Sequence, residues 1–378
     1  MRFSASQKDS DPAESSPLKH ISINSRAAEL LNGECPVTGS SHGGICVAGY
    51  TEARSEILEF LLPLKLYAGD NQGLCAERDF KVQHGGFSEE PVECLIHIPE
   101  TRFVVTSGGS SPALQIWDIG GDDSDVIKRT GVINPKTPSA KCAKIASGLT
   151  ENPSILHGSC TRDVQLTELA TGRVLYSVGH ESSDLVSGLQ FVNASVFLIC
   201  TSNGALLMGD LRDPLTCHYP LKESMSGLHW CFGLRTSSSD PSLCTIARLS
   251  SSGHIVLSDL RDLQNPYCQT QLTVQHISAK NEFMNVSWAS VLDRCLSVSG
   301  FDGTVQVYNT RKWSTEAQTP QPVFSHRGHD MSYEAKCSGS QPVVTTHAWH
   351  PSRPNTLLSA ATDGSVHVWD WVDKTTDT

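Results

Sequence analysis

The stretch Leu357–Trp371, LLSAATDGSVHVWDW, repeats the design of Cys295–Asn309, CLSVSGFDGTVQVYN. Each has an apolar strand, an Asp-Gly turn, a second strand of alternating apolar residues, and an aromatic residue followed by Asp or Asn. The turn residues Asp302 and Asp363 precede the aromatics Tyr308 and Trp369 by the same interval. Trp288 and Trp349 precede those aromatics by a second shared interval. Chance does not readily supply two matches at several fixed offsets. A chain built this way is an array of one supersecondary unit, and the period of the array decides the fold.

Toward the N-terminus the unit recurs in weaker form at Leu243–Asp259, Val196–Asp210, Ile155–Leu169, Phe103–Asp118 and Ile45–Leu62, which makes seven copies. Successive closing residues (Asp118, Glu168, Asp210, Asp259, Asn309, Asp370) are spaced like four-stranded blades of about 40–45 residues, with loop insertions in the longer steps. The predicted fold is all-β, a seven-bladed WD40 β-propeller. Asn203-Gly204, Asp302-Gly303 and Asp363-Gly364 predict two-residue hairpins with positive φ at both central positions.

A His precedes four units, at His84, His180, His276 and His329. In such a ring this His, a Ser or Thr of the second strand, the turn Asp and the Trp are expected to share a buried hydrogen-bonded network, because buried polar groups must be paired. The structural residues predicted for it are His329, Asp363 and Trp369 in the last unit, with Asp302, Tyr308 and His180 elsewhere.

The chain ends soon after Trp369, so the last blade is predicted to take its outer fourth strand from the N-terminal region, within Leu18–Leu31. The predicted organisation is a disordered tail over 1–17, one propeller over 18–373, and a short tail over 374–378. Four stretches rich in Ser, Pro, Thr, Gly or charge read as surface insertions: Thr130–Lys141, Thr236–Ser242, Arg311–Pro322 and Asp330–Pro342. On a rigid scaffold such loops carry binding specificity.

Composition narrows the function. The 378 residues are 38% hydrophobic and carry a net charge of −11, with no strongly basic block. Direct nucleic-acid binding is disfavoured, since it needs a basic patch or stripe. There are 13 Cys, placed singly within apolar runs and without a C-x-x-C motif, which suits reduced, buried thiols. No signal peptide or membrane span is read, and the expected setting is the cytoplasm, with nuclear access.

The segments Glu77–Ser88 (ERDFKVQHGGFS), Ser124–Lys128, Ser299–Tyr308, Phe324–His329 and Val343–Asp373 resemble one branch of the WD40-repeat family. The resemblance runs over residues 45–373, and the first 44 residues depart from that branch's apolar, Trp-containing lead. It implies a non-enzymatic protein-interaction scaffold without a cofactor. The implied setting is the cytoplasm, and spindle poles and the cleavage furrow in mitosis. The implied partners are subunits of the Integrator complex's RNA-cleavage module, for which the chain would be an assembly factor in snRNA processing. The chain is expected to be a monomer. An alternative within the binding class is a microtubule and spindle adaptor that contacts tubulin. The alternative from another class is a propeller enzyme with a metal or acid–base site over the central channel.

Chemical motifs are few. Gly39–Gly43 matches G-x-S-x-G but leads into a strand, where a nucleophile elbow needs a helix. His326-x-x-His329 and His347-x-x-His350 lack Cys or carboxylate companions, and strand alternation turns His347 and His350 apart. Arg78, Phe80, Lys81 and Phe87 form a mixed aromatic and cationic stretch that is either an outer strand or a partner-contacting patch. Trp313, Arg327 and Arg353 are further candidates for partner binding, against ordinary roles as loop cover and surface charge.

Overall fold

The computed structural model describes residues 24–31, 44–50, 55–63, 79–108, 111–121, 124–135, 142–148, 152–220, 227–236, 244–275, 281–313, 319–331 and 341–372. These form seven antiparallel sheets. Blade 1 contains β1 (Asn24–Leu31), β2 (Gly44–Tyr50), β3 (Ser55–Leu61) and β4 (Lys81–Ser88). Blade 2 contains β5 (Val92–His97), β6 (Phe103–Gly108), β7 (Leu114–Asp118) and β8 (Lys128–Ile133). Blade 3 contains β9 (Lys144–Ser147), β10 (Ser154–Gly158), β11 (Gln165–Glu168) and β12 (Val174–Ser177). Blade 4 contains β13 (Val186–Phe191), β14 (Val196–Thr201), β15 (Leu206–Asp210) and β16 (Asp213–Tyr219). Blade 5 contains β17 (Trp230–Arg235), β18 (Thr245–Ser250), β19 (His254–Asp259) and β20 (Cys268–Gln271). Blade 6 contains β21 (Asn285–Trp288), β22 (Cys295–Ser299), β23 (Val305–Asn309) and β24 (Phe324–His326). Blade 7 contains β25 (Val344–Trp349), β26 (Thr356–Ala361) and β27 (Val366–Asp370).

Each of the seven sequence units is the second and third strand of one blade. The first strands touch in a closed cycle, β1 to β5, β9, β13, β17, β21, β25 and back to β1. Burial follows from that order. All residues of β10, β22 and β26 are buried, because a second strand is covered by its own sheet and by both neighbouring blades. The outer β12 alternates half-buried with exposed. The seam that closes the ring is apolar: Ile45, Val47 and Phe60 of blade 1 pack with Leu358, Ala360 and Val366 of blade 7.

The closing strand needs correction. The N-terminal strand does take part in closure, touching both β25 and β26 of the last blade. It does so as the innermost strand of blade 1, paired with β2 from Asn24↔Tyr50 to Leu31↔Gly44. It is not the outer strand of blade 7, where three strands are found among the described residues. An apolar segment states that it will pair, but not with which edge. The predicted tails over 1–17 and 374–378 lie outside the described residues, as does Gly39–Gly43.

The turns also differ from expectation. Gly204 and Gly364 have φ of 85° and 79°, but Asn203 and Asp363 are not in the positive-φ region, and neither is Gly303. The Gly204 and Gly364 N–H groups donate to the carbonyls of Thr201 and Ala361 at 2.8 and 3.0 Å. This is the longer hairpin built on a type I turn with a left-handed Gly behind it. The Asn or Asp before the Gly is freed to accept hydrogen bonds: Asn203 accepts from Ala205 N–H and Asp363 from Ser365 N–H, both at 3.1 Å.

The insertion read over Thr130–Lys141 begins later than expected, since Thr130–Ile133 belongs to β8. The segment before β8 covers the outer edge of blade 1. Gly85 N–H donates to Asp125 O at 2.9 Å and Ile127 N–H to Gly85 O at 2.8 Å. Gly86 is required there, because a Cβ would stand 2.6 Å from the Ile127 carbonyl oxygen.

Candidate functional site

In the last blade, β26, β27, the turn between them and the loop after β24 bring five side chains together. Trp369 Nε1 donates to Ser359 Oγ at 3.1 Å. Ser359 Oγ lies 2.8 Å from His329 Nε2, and His329 Nδ1 lies 2.6 Å from Ser365 Oγ. Ser365 Oγ donates to Asp363 Oδ1 at 2.6 Å. One directional assignment satisfies every member: Trp to Ser359, Ser359 to a neutral His329, His329 to Ser365, Ser365 to Asp363. Burial holds His329 well below its ordinary pKa, assisted by the neighbouring His367 and His326. The sequence did not single out Ser365, which stands between His and Asp, or His367, whose ring stacks on His329 with centroids 4.0 Å apart. His367 sits at a strand position that reads as outward-facing.

His326, His329 and His367 place one nitrogen each within 4.8 Å of one another. Both nitrogens of His329 are engaged with the two serines, and His326 Nε2 meets His367 Nδ1 at 3.1 Å. His326 also stacks on Trp369 at 4.5 Å. The rings are arranged for packing and hydrogen bonding, and a shared ion would have to displace the serine bonds of His329.

Blade 6 solves the same problem differently. Tyr308 is buried, but its hydroxyl donates to Gln306 Oε1 at 2.7 Å. The buried Ser297 and Ser299 of β22 are instead held by His347 of blade 7, at 2.7 Å from each ring nitrogen. Asp302 accepts from the N–H and hydroxyl of Thr304 at 2.8 and 2.6 Å.

His180 stands apart from any such network. Its Nδ1 accepts from Ser182 N–H at 3.2 Å, while Asn203, the turn residue of the blade it precedes, bonds Thr201 and Ala205. His84 is not in a loop before a first strand. It lies within β4, where Nδ1 meets the buried Glu59 carboxylate at 2.5 Å, and Arg102 binds that carboxylate with two nitrogens at 3.0 and 3.2 Å. His84 precedes its unit in sequence, but from within a strand. His276 lies outside the described residues.

The interaction candidates separate on burial. Arg78 lies outside the described residues. Phe80 is half-buried against the closing seam, its ring 5.8 Å from that of Phe60. Trp313 is half-buried and packs edge-on against Tyr308 at 5.7 Å, so it extends the core under its loop. Lys81, Arg327 and Arg353 are exposed. Phe87 is 62% exposed, and Val82, five residues earlier on β4, is 56% exposed. Val126, bridged to Gly85, and Val132 of β8 are also exposed, at 45% and 48%.

On the ring axis lies a cavity of about 420 Å³ lined by first strands and the segment just before β21, with Glu93, Cys94, Lys144, Gln190, Glu282 and His347 among its polar or thiol side chains.

A closed ring of seven sheets, locked by Trp–Ser–His hydrogen bonding, defines a WD40-repeat propeller. The model of the WD domain, G-beta repeat, matches residues 321–370, which hold blade 7 and the last strand of blade 6. Among curated proteins, the chain is 75% identical over 335 residues to a Danio rerio protein named Integrator complex assembly factor WDR73, covering 88% of this chain and 89% of that one. The proteins of the same name from Xenopus laevis and Homo sapiens are 41% and 40% identical, each with 87% of this chain and 89% of theirs covered. The chain belongs to the WDR73 family of WD40-repeat proteins.

Proposed function

We propose that the chain is a non-enzymatic scaffold in assembly of the Integrator complex, holding subunits of its RNA-cleavage module while they join. The observation that carries this reading is the 75% identity with the Danio rerio assembly factor along nearly the whole of both chains. The structure supplies a physical basis. Buried polar chains and an apolar seam fix a rigid ring, and a preformed surface loses little entropy on binding. The exposed Phe87 offers an aromatic ring of the kind enriched in interface centres, and the exposed Lys81 suits a polar rim.

Affinity purification of the tagged full chain, followed by mass spectrometry, tests the reading. Recovery of Integrator cleavage-module subunits is expected. Recovery of tubulin without them would favour the spindle adaptor instead. The same reading carries residence in the cytoplasm with access to the nucleus, which cell fractionation checks.

A further inference from the structure

Two thiols stand where blades 2 and 3 meet beside the axial cavity. Cys94 is on β5, the first strand of blade 2, and lines the cavity together with Lys144 of β9, the first strand of blade 3. Cys142 lies just before β9. Lys144 Nζ is 3.9 Å from Cys94 Sγ. Ser107 faces Cys94 across the β5–β6 ladder, and its hydroxyl lies 3.1 Å from Cys142 Sγ. The Ser107 hydroxyl also donates to Ala143 O at 2.7 Å. Ordinary structural cysteines of this ring look different: Cys46, Cys200, Cys244, Cys268 and Cys295 are buried in the core.

The Lys144 ammonium, 3.9 Å from the Cys94 sulfur, marks Cys94 as the nucleophile, and Cys142, in contact with the Ser107 that pairs with Cys94, is its partner. A thiolate is the reactive form, and a nearby ammonium and thiol donor stabilise it. The hydrogen bond from Cys142 brings Cys94 down to about 6 against the opposing effect of burial, and the Lys144 charge and Ser107 assist. Glu93, which also faces the pair, acts in the opposite sense. Cys142 is held in its thiol form by the same bond and by burial.

We propose that Cys94 and Cys142 are a reactive dithiol on the wall of the axial cavity, a site that reduces a peroxide and closes into a disulfide between blades 2 and 3. The Cys94 thiolate, its proton already released to water, attacks one peroxide oxygen. The O–O bond breaks, an S–O bond forms, and hydroxide leaves and takes a proton from solvent. Cys142 sulfur then attacks the Cys94 sulfenic acid. An S–S bond forms, the S–O bond breaks, and the departing hydroxyl leaves as water with the Cys142 proton. The pair loses two electrons and the peroxide gains them, and a small thiol reductant restores the dithiol.

The test uses the full chain, reduced and folded, with hydrogen peroxide as the probe. Trypsin places Cys94 in the peptide 82–102 and Cys142 in the peptide 142–144. Mass spectrometry of the non-reduced digest should show these two peptides linked, and the link should vanish on reduction. Iodoacetamide at pH 6.5 should label Cys94 about fivefold faster than the exposed Cys217. In Cys142→Ser, Cys94 should accumulate as a sulfenic acid that a cyclic 1,3-dione traps. Oxidation of Cys217 while Cys94 stays reduced would overturn the proposal. So would linkage of Cys94 mainly to cysteines other than Cys142. If Cys142→Ser does not fold, the digest of the unaltered chain decides alone.

Discussion

Trp369 and His329 are joined through one hydroxyl: Ser359 Oγ accepts the indole N–H at 3.1 Å and lies 2.8 Å from His329 Nε2. The first link ties the second strand of blade 7 to its third. The second ties both to the loop that leaves blade 6. A single buried Ser therefore fixes the junction of two blades.

Removing that hydroxyl leaves two buried nitrogens without their partner. An unsatisfied buried polar group costs about 1–3 kcal/mol, so Ser359→Ala should lower stability by at least that range. Urea unfolding monitored by Trp fluorescence measures it. A midpoint equal to that of the unaltered chain would show that the hydroxyl is not part of the lock.

Acid should weaken the ring. Burial lowers His157, His347 and His367 to about 4 and His326 to about 3, and holds His329 well below 6.5. In the unfolded chain these groups bind protons near pH 6.5, while in the fold they stay neutral. The unfolded state therefore binds more protons, and the stabilisation present above pH 6.5 is lost as pH falls from there toward about 4. Urea midpoints taken at steps between pH 7.5 and 5 should decline steadily. A flat profile would mean that the imidazoles are not desolvated.

Phe80 and Phe87 should part company. Phe80 packs at the closing seam, so Phe80→Ala should cost about 1–3 kcal/mol, below the 3–5 typical of full burial. Phe87→Ser should leave the melting temperature nearly unchanged and lower partner recovery. The reverse pattern would make Phe87 core and remove it from the interaction surface.

Deleting residues 1–31 removes the innermost strand of blade 1 and its contacts with β5, β25 and β26. The truncated chain should lose its cooperative thermal transition. An unchanged melting curve would show that the ring closes without β1.

Much of this architecture was legible in the residues. The Asp302-Gly303 and Asp363-Gly364 turns, each a fixed distance before a buried aromatic, locate the second and third strands, because those strands bury most and vary least in pattern. Outer strands such as Val174–Ser177 have one covered side and carry little signal. The last-blade network was legible in His329, Asp363 and Trp369. Ser365 was not, since a Ser after Asp-Gly reads as turn chemistry. His347 escaped because its partners Ser297 and Ser299 sit on another blade, and sequence periodicity reports local faces, not neighbours across a seam. Partner-contacting residues are the least legible, because solvent-facing positions answer to no internal constraint.

The measurement that bears most directly on the central claim is recovery of partners from cells by the full chain and by Phe87→Ser, with thermal melting of both proteins alongside. Integrator cleavage-module subunits are expected with the full chain, and clearly less of them with a variant that melts at the same temperature. Absence of those subunits from the unaltered chain, with other proteins recovered in quantity, would contradict it.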